Sequence, residues 1–395
     1  MREGSGTSAV ILAAGISTRM GEVKQLLQVD GRPLLQHVLD HVRASEISEI
    51  ILVLGHAADA IRRELDLEPI KLVVNEDYRG GMGCSLKAGL SAVDPQAKAA
   101  IVVLADQPFV RPFTLDRLIR EHARSGAQIV IPTYHGFRGN PVLLDRRVFP
   151  EVMGIGGDVG CRAIFGDHAE GIVKVPVEDV GILLDIDRPG DYEKLRSAEG
   201  RAQMLPLAAL EVRPTSMGPA PARARPELVI VGRDTLAMTL AKLAQPMHFT
   251  VTLVDPLLNR SEVPEADRIL HVLDFSLLDP SSDRHVVVAS RGACDEEAIE
   301  QALRANSSYA GLVANRKRGE EVLRSLGKKG IAPQKLAGVR VPAGLAIGAG
   351  NAEEIALSIL AEIVAERRKR PKADQRPGAS QRSEPIIPNA PCHID

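Results

Sequence analysis

The sequence predicts an α/β protein: a Rossmann-like sheet, mostly parallel with helices on both faces, followed by a second, smaller Rossmann-like domain. Two observations carry this expectation. Short β-branched apolar runs alternate with longer amphipathic ones along most of the chain, the pattern of strands joined through helices into a parallel sheet. The chain also has 395 residues, more than the roughly 250–300 at which a single hydrophobic core stops growing.

The elements follow in order. AVILAAG (9–15), EIILVLG (49–55), IKLVVN (70–75), AAIVVLA (99–105) and QIVIPTY (128–134) read as strands. Runs apolar on both sides suit a sheet covered on both faces. Between them LLQHVLDHVRAS (34–45), ADAIRREL (58–65), SLKAGLSAV (85–93) and TLDRLIREHARSG (114–126) have helical spacing. A further strand is expected to end in ILLD, at Asp185. Residues 1–196 make the first domain. The stretch 197–226 is dense in Pro, Ala and Arg and reads as a flexible linker. The second domain, 227–370, runs through PELVIVG (226–232), a helix at LAMTLAKLAQ (236–245), FTVTLVD (249–255) and HVVVAS (285–290). A helix at DEEAIEQALRAN (295–306), a strand at YAGLVAN (309–315) and a long closing helix at 353–370 complete it. The tail, 371–395, lacks the apolar content of a core and is expected to be disordered.

Composition excludes several function classes. Aromatic residues are 3% of the chain, with no Trp, so the cores must be aliphatic and a base-stacking platform is not expected. The net charge of −2 gives no general attraction to nucleic acid or anionic lipid. Cys84, Cys161, Cys294 and Cys392 form no C-x-x-C pair, which argues against both a disulfide framework and a zinc site. No apolar run reaches the ~18 residues of a membrane span, and a cytoplasmic location is expected.

The segment VILAAGISTRMGEVKQLL (10–27) carries the strongest chemical signal. A glycine after a strand lets the backbone turn sharply and approach a phosphate, and Arg19 and Lys24 add two cations beside the same loop. The P-loop pattern G-x-x-x-x-G-K-[ST] is absent, so the phosphate grip must differ. Asp106 follows a strand directly, at the sheet edge where open α/β folds bind ligands. Asp185 and Asp187 lie in ILLDIDRPGDY. Few carboxylates suffice for Mg²⁺, which keeps waters and takes oxygens from substrate phosphates. No Ser/His/Asp arrangement emerges: His37, His41, His56 and His122 fall in or beside helices.

These residues resemble the L-A-A/G-G-x-S-x-R-M-G-x-x-K-x-L signature of the MobA-like nucleotidyltransferases, with further matches across residues 8–195. The resemblance implies a nucleotide site formed by Leu12, Ala13, Ala14 and Gly15, with Arg19, Lys24 and Asp106 as catalytic residues. It implies Mg²⁺ held by Asp106 and Asp187, with Asp185 as a substitute for the latter. Ala14 stands where guanylyl enzymes have Gly, and NEDYRGGMGCSLKAGL (75–90) is similar to the cytidylyl branch. Asn75, Gly83 and Ser85 are therefore implied at the nucleoside, although Ser85 also reads as a helix N-cap. FRGNPVLL (137–144) and IGGDVGCRAIF (155–165) resemble segments of molybdenum cofactor cytidylyltransferases, which puts Arg138, Asn140, Asp158 and Arg162 on the acceptor. The implied reaction joins CTP to molybdopterin, with or without Mo. A sugar- or polyol-phosphate acceptor, or a non-catalytic maturation chaperone, is the alternative.

The second domain has the plan of a dinucleotide-binding βαβ, with Asp255 ending the second strand. Its glycine fingerprint is broken: Gly232 stands, but Asp234 and Ala237 replace the next two glycines, and Asp234 is expected to repel a phosphate. YAGLVANRKRGEEVLRSL (309–326) and VPAGLAIGAGNAEEIALSILAEIVAERR (341–368) resemble XdhC/CoxI proteins. That resemblance implies cofactor handling, with Arg316, Arg318, Gly344 and Gly348 as anion contacts, and an apo molybdenum hydroxylase of the xanthine dehydrogenase or CO dehydrogenase type as partner.

Overall fold

The computed structural model describes residues 6–16, 20–157, 160–196, 210–212, 225–278 and 283–369. In the first domain the apolar runs form β1 (Thr7–Ala13), β4 (Glu49–Leu54), β5 (Lys71–Val74), β6 (Ala99–Leu104) and β7 (Ile129–Tyr134). A small hairpin of β2 (Gln28–Val29) and β3 (Arg32–Pro33) precedes β4, and β8 (Phe137–Arg138), β9 (Val142–Asp145) and β10 (Ile172–Pro176) follow β7. The sheet order is β10-β7-β9-β6-β1-β4-β5, with β8 paired to β7. The pairs are parallel except where β9 runs back between β6 and β7, and β8 against β7.

The pleat divides the core. Ala9, Ile11 and Ala13 join the cluster on one face of β1, while Val10 joins the cluster on the other, as a period of two requires. Helices Leu34–Arg43, Ala58–Glu64, Met82–Ser91 and Pro112–Ser125 cover these faces. Two local expectations need correction. The third helix starts at Met82 with Gly81 as its N-cap, so Ser85 lies inside the helix and caps nothing. The strand expected before Asp185 is instead a 3-10 turn, Val180–Leu183. Asp179 explains it: its carboxylate accepts from the Gly181 amide, and also from the Arg111 amide and the Thr114 hydroxyl. Side-chain acceptors of this kind favour a turn over an extended ladder.

The second sheet holds β11 (Leu210–Val212), β12 (Glu227–Val231), β13 (Thr250–Val254), β14 (Arg268–Leu270), β15 (Arg284–Val288) and β16 (Tyr309–Leu312). Its order is β11-β14-β13-β12-β15-β16, all parallel but for β11. β11 lies within the stretch expected to be a linker, and it extends the sheet edge by pairing with β14. The rest of that stretch up to 224, and the tail from 370, lie outside the described residues. Helices Thr235–Ala244, Asp295–Arg304, Arg316–Lys328 and Ala352–Lys369 cover the sheet. No helix among the described residues is long and apolar enough to cross a membrane.

The two sheets do not stand apart. Phe137, 2% exposed, belongs to the apolar cluster of the second sheet, with Val229, Val231, Val254 and Leu273, and Leu183 packs against the same cluster. The Arg138 amide donates to the Ala293 carbonyl at 2.9 Å, and its guanidinium donates to the Gly292 and Ala293 carbonyls. His135 accepts the Leu273 amide at 3.0 Å, and the Lys174 and Glu297 side chains pair across the same boundary. Truncating a buried Phe costs about 3–5 kcal/mol. Phe137→Ala should therefore split a single calorimetric unfolding transition of the full chain into two, because the cost falls on the contact between the sheets.

Candidate active site

A cleft of about 620 Å³ opens at the carboxyl edge of the first sheet. Its floor is the end of β1 and the turn after it: Leu12, Ala14 and Gly15 line it, and nothing stands within 4 Å of where a Cβ on Gly15 would project. The turn is fixed from behind. The Gln25 side-chain amide donates to the Ala13 carbonyl at 3.0 Å, and the His56 amide to the Ala14 carbonyl at 3.2 Å. Ala13 is buried under the floor. The opposite wall is the 78–85 segment, from Tyr78 through Ser85.

Three remote segments bring the charged groups together. Lys24, on a one-turn 3-10 helix, donates to Asp106 Oδ2 at 3.0 Å and to Asp187 Oδ1 at 2.7 Å. Asp106 sits in the turn after β6. The Ile186 amide donates to the Asp106 carbonyl at 3.1 Å. With the Ile186 side chain buried, at 1% exposure, this bond sets Asp185 and Asp187 on either side of it, next to Asp106. Burial works against the Lys24 charge, but Asp106 and Asp187 outweigh it and hold the ammonium above its ordinary range. The Asp185 carboxyl is pushed up to about 6, by the protein packed around its inner side and by the negative charges of Asp106 and Asp187.

The donor set fits a hard cation. Asp106 Oδ1 is buried with no hydrogen-bond partner among the described residues, which leaves one carboxylate oxygen for a ligand beside the one held by Lys24. No three His, Cys, Asp or Glu side chains among the described residues form a closed cage. An open site of few carboxylates suits Mg²⁺, which retains water and binds through substrate phosphates.

The remaining predicted residues divide by position. Leu12, Ala14, Gly15 and Ser85 line the cleft with Lys24, Asp106 and Asp187. Asn75 and Gly83 act from behind it: the Asn75 amide donates to the Ser85 hydroxyl at 3.1 Å, and the Gly83 amide to the Gly157 carbonyl at 3.2 Å. Arg19 and Asp158 lie outside the described residues. Arg138 needs correction as an acceptor ligand, since it is buried and spends its guanidinium on carbonyls of the second domain. The Asn140 amide donates to the Ile182 carbonyl, and Arg162 is exposed within electrostatic reach of Asp185. Sequence reading missed Gln25 and the Tyr78–Met82 wall, although the Gly80-Gly81 pair in that segment signalled a turn beside a helix start.

In the second domain, Asp234 caps the helix Thr235–Ala244, accepting the Ala237 amide at 2.9 Å, and pairs with Arg291 at 2.8 Å. Its carboxylate thus fills the helix N-terminus that a pyrophosphate would need. Arg316 starts the helix Arg316–Lys328, and Arg318 pairs with Asp295. Gly344 donates its amide to Glu362. Gly348 is exposed and has left-handed φ.

The sequence profile of the MobA-like NTP transferase domain matches residues 9–172, and that of the XdhC Rossmann domain matches residues 228–363. A nicotine blue oxidoreductase from Paenarthrobacter nicotinovorans is 34% identical over 164 residues, 39% of this chain and 79% of that protein. The chain belongs to the MobA-like NTP transferases. It is a nucleotidyltransferase-type chain with an XdhC-like domain behind the first. The bifunctional protein GlmU of Trichlorobacter lovleyi is 33% identical over 32% of this chain, but only 28% of that protein is covered. Among solved structures, a Mycobacterium sp. strain JC1 homologue of Rv0371c is 32% identical, covering 50% of this chain and 99% of that one at a TM-score of 0.46.

Asp255, which follows β13, is buried, and burial raises its carboxyl to about 6. The folded protein therefore holds this proton more tightly than the unfolded chain, whose Asp titrates near 3.8. Stability from this group is greatest below that value and falls as pH rises through about 6, by about 3 kcal/mol. Asp255→Asn should raise the melting temperature at pH 7.5 and leave it nearly unchanged at pH 4.

Proposed function

We propose that this protein transfers CMP from CTP to the phosphate of molybdopterin, releasing pyrophosphate, and that its XdhC-like domain serves delivery to an apo molybdenum hydroxylase. The observation that carries nucleotidyl transfer is the Lys24 bridge between Asp106 and Asp187 on the rim of a glycine-floored cleft. The choice of CTP and molybdopterin rests on the resemblance of the 10–27, 75–90 and 137–165 segments, with Ala14 in place of the guanylyl enzymes' glycine.

The chemistry follows from charge and position. An acceptor phosphate oxygen attacks the α-phosphorus, and the bond to the departing pyrophosphate breaks. No general base is needed, because a phosphate nucleophile is already ionised at neutral pH. The β1 turn offers close backbone approach at Gly15, and Lys24, with Arg19 in this reading, neutralises charge developing on the leaving oxygens. Asp106 and Asp187 would hold Mg²⁺, which when bound supplies further charge neutralisation and alignment of the phosphates. Asn75 and Ser85, hydrogen-bonded to each other, form the nucleoside side of the site.

A pyrophosphate-release assay with molybdopterin and each of the four ribonucleoside triphosphates tests this reading. CTP should support turnover far better than GTP, and a GTP preference defeats the cytidylyl assignment. Removing one electrostatic contact to a developing charge costs about a hundred- to a thousandfold in rate. Lys24→Ala should show a fall of this size in kcat, and Asp106→Ala should abolish turnover at an unchanged circular dichroism spectrum. Near-normal turnover of Asp106→Ala with Mg²⁺ sinks the metal assignment.

A further inference from the structure

At the wall of the cleft the fold fixes which way one hydrogen bond runs. Asn75 follows β5 and is buried, and its backbone amide donates to the Leu54 carbonyl at 2.7 Å. Its side chain is then oriented at both ends. Oδ1 accepts the Asp77 amide at 3.1 Å, so the nitrogen is the atom left to face Ser85, and it donates to Ser85 Oγ at 3.1 Å. An amide nitrogen donates and does not accept. The Ser85 proton therefore cannot turn back toward Asn75.

Ser85 itself is placed by packing. It lies in the helix Met82–Ser91, four residues before Gly89 and on the same face. A Cβ on Gly89 would meet Val10 Cγ1 at 2.3 Å and Val53 Cγ2 at 2.9 Å, so this face sits directly on β1 and β4. One turn nearer the helix start, Ser85 is buried and lines the cleft with Leu12 and Ala14. A helical serine often returns its proton to a carbonyl of the preceding turn, as Ser358 does to Ile355. Ser85 donates to no group among the described residues. A buried donor without a partner is costly, and a ligand that brings an acceptor removes the cost.

We infer that Asn75 is a positioning residue, which touches no substrate but holds Ser85 as a hydrogen-bond donor to an acceptor atom of the bound nucleoside. The inference rests on the proposed nucleotidyl-transfer reading and gives its nucleoside side a polarity. The atom that meets Ser85 must carry a lone pair, as the O2 and N3 atoms of cytosine and the hydroxyl oxygens of ribose do. A nucleoside that presented an N–H there would set two donors face to face. The same bond therefore selects as well as binds.

The test uses the full chain with Mg²⁺ and calorimetric titration of two ligands, CTP and pyrophosphate. Pyrophosphate carries phosphates without a nucleoside, so an added charge or a disturbed wall falls on both ligands and cancels in the ratio of their affinities. Ser85→Ala removes the donor. Asn75→Asp keeps the bond to Asp77 but offers Ser85 an acceptor, which draws its proton away from the cleft. Each variant should lower the CTP-to-pyrophosphate affinity ratio about tenfold, the worth of one hydrogen bond, and the double variant should lower it no further. An unchanged ratio in either single variant overturns the inference, and so does a double variant whose loss is the product of the two. Titration of 2′,3′-dideoxy-CTP locates the acceptor: a persisting loss in the variants assigns it to the base, and a vanished one to the ribose, the role of Asn75 standing in both cases. Tight CTP binding with an unchanged ratio removes this inference and leaves the transferase reading intact. If GTP binds in place of CTP and shows the same losses, the cytidylyl assignment falls and Asn75 keeps its role. If none of the four ribonucleoside triphosphates binds, both fall.

Discussion

Repulsion among Asp106, Asp185 and Asp187 is the constraint around which the first domain is arranged. Carboxylates placed this close are tolerated only with a cation between them, and Lys24 supplies it for two of the three. Asp185 lies beside them with its carboxyl raised to about 6, by burial first and by the negative charges of Asp106 and Asp187 after it. The arrangement is costly to hold, and the fold spends several fixed hydrogen bonds on it. The Ile186 amide ties the D-x-D segment to the Asp106 carbonyl, Gln25 ties the Lys24 turn to β1, and Asp179 winds the approach to Asp185 into a turn. Such concentrations of like charge persist where a ligand needs them.

Much of this was legible in the sequence, because the signals were local. Strands buried on both faces show as unbroken apolar runs, and β1, β4, β6 and β7 follow them closely. The β1 turn and Asp106 could be read because a glycine and a carboxylate each stand at the end of such a run, and Lys24 because it falls within the motif of residues 10–27. What escaped was decided by distant partners. Nothing near Arg138 in sequence says that Gly292 and Ala293 will claim it. The 3-10 turn before Asp185 depends on the Asp179 carboxylate, whose other bonds reach back to Arg111 and Thr114. Asp234 was read as unwelcoming to phosphate from its bulk and charge alone; the capping bond and the pair with Arg291, a residue 57 positions away, could not be read there.

The contact between the sheets changes how the two halves are to be understood. A tether raises the chance that two sites meet, whereas a buried Phe137 and a buried Arg138 fix their relative orientation. β9 makes this possible: running antiparallel between β6 and β7, it starts at the same sheet edge as the nucleotide turn, so the hairpin leading into it is delivered to the edge where the second domain sits. An all-parallel sheet would have needed a longer crossover to put Phe137 there.

The aliphatic make-up of the cores has an optical consequence. With no Trp and four Tyr, near-ultraviolet emission must come from phenol rings, and each ring reports on a different place. Tyr78 lines the cleft wall, and Tyr134 stacks on His135 beside the inter-sheet hairpin at a ring separation of 4.1 Å. Tyr192 bonds the Gln28 carbonyl from the helix that follows the D-x-D segment, and Tyr309 donates to Glu362 inside the second domain. The protein thus carries its own set of spectroscopic labels, one for each region whose behaviour separates binding from docking.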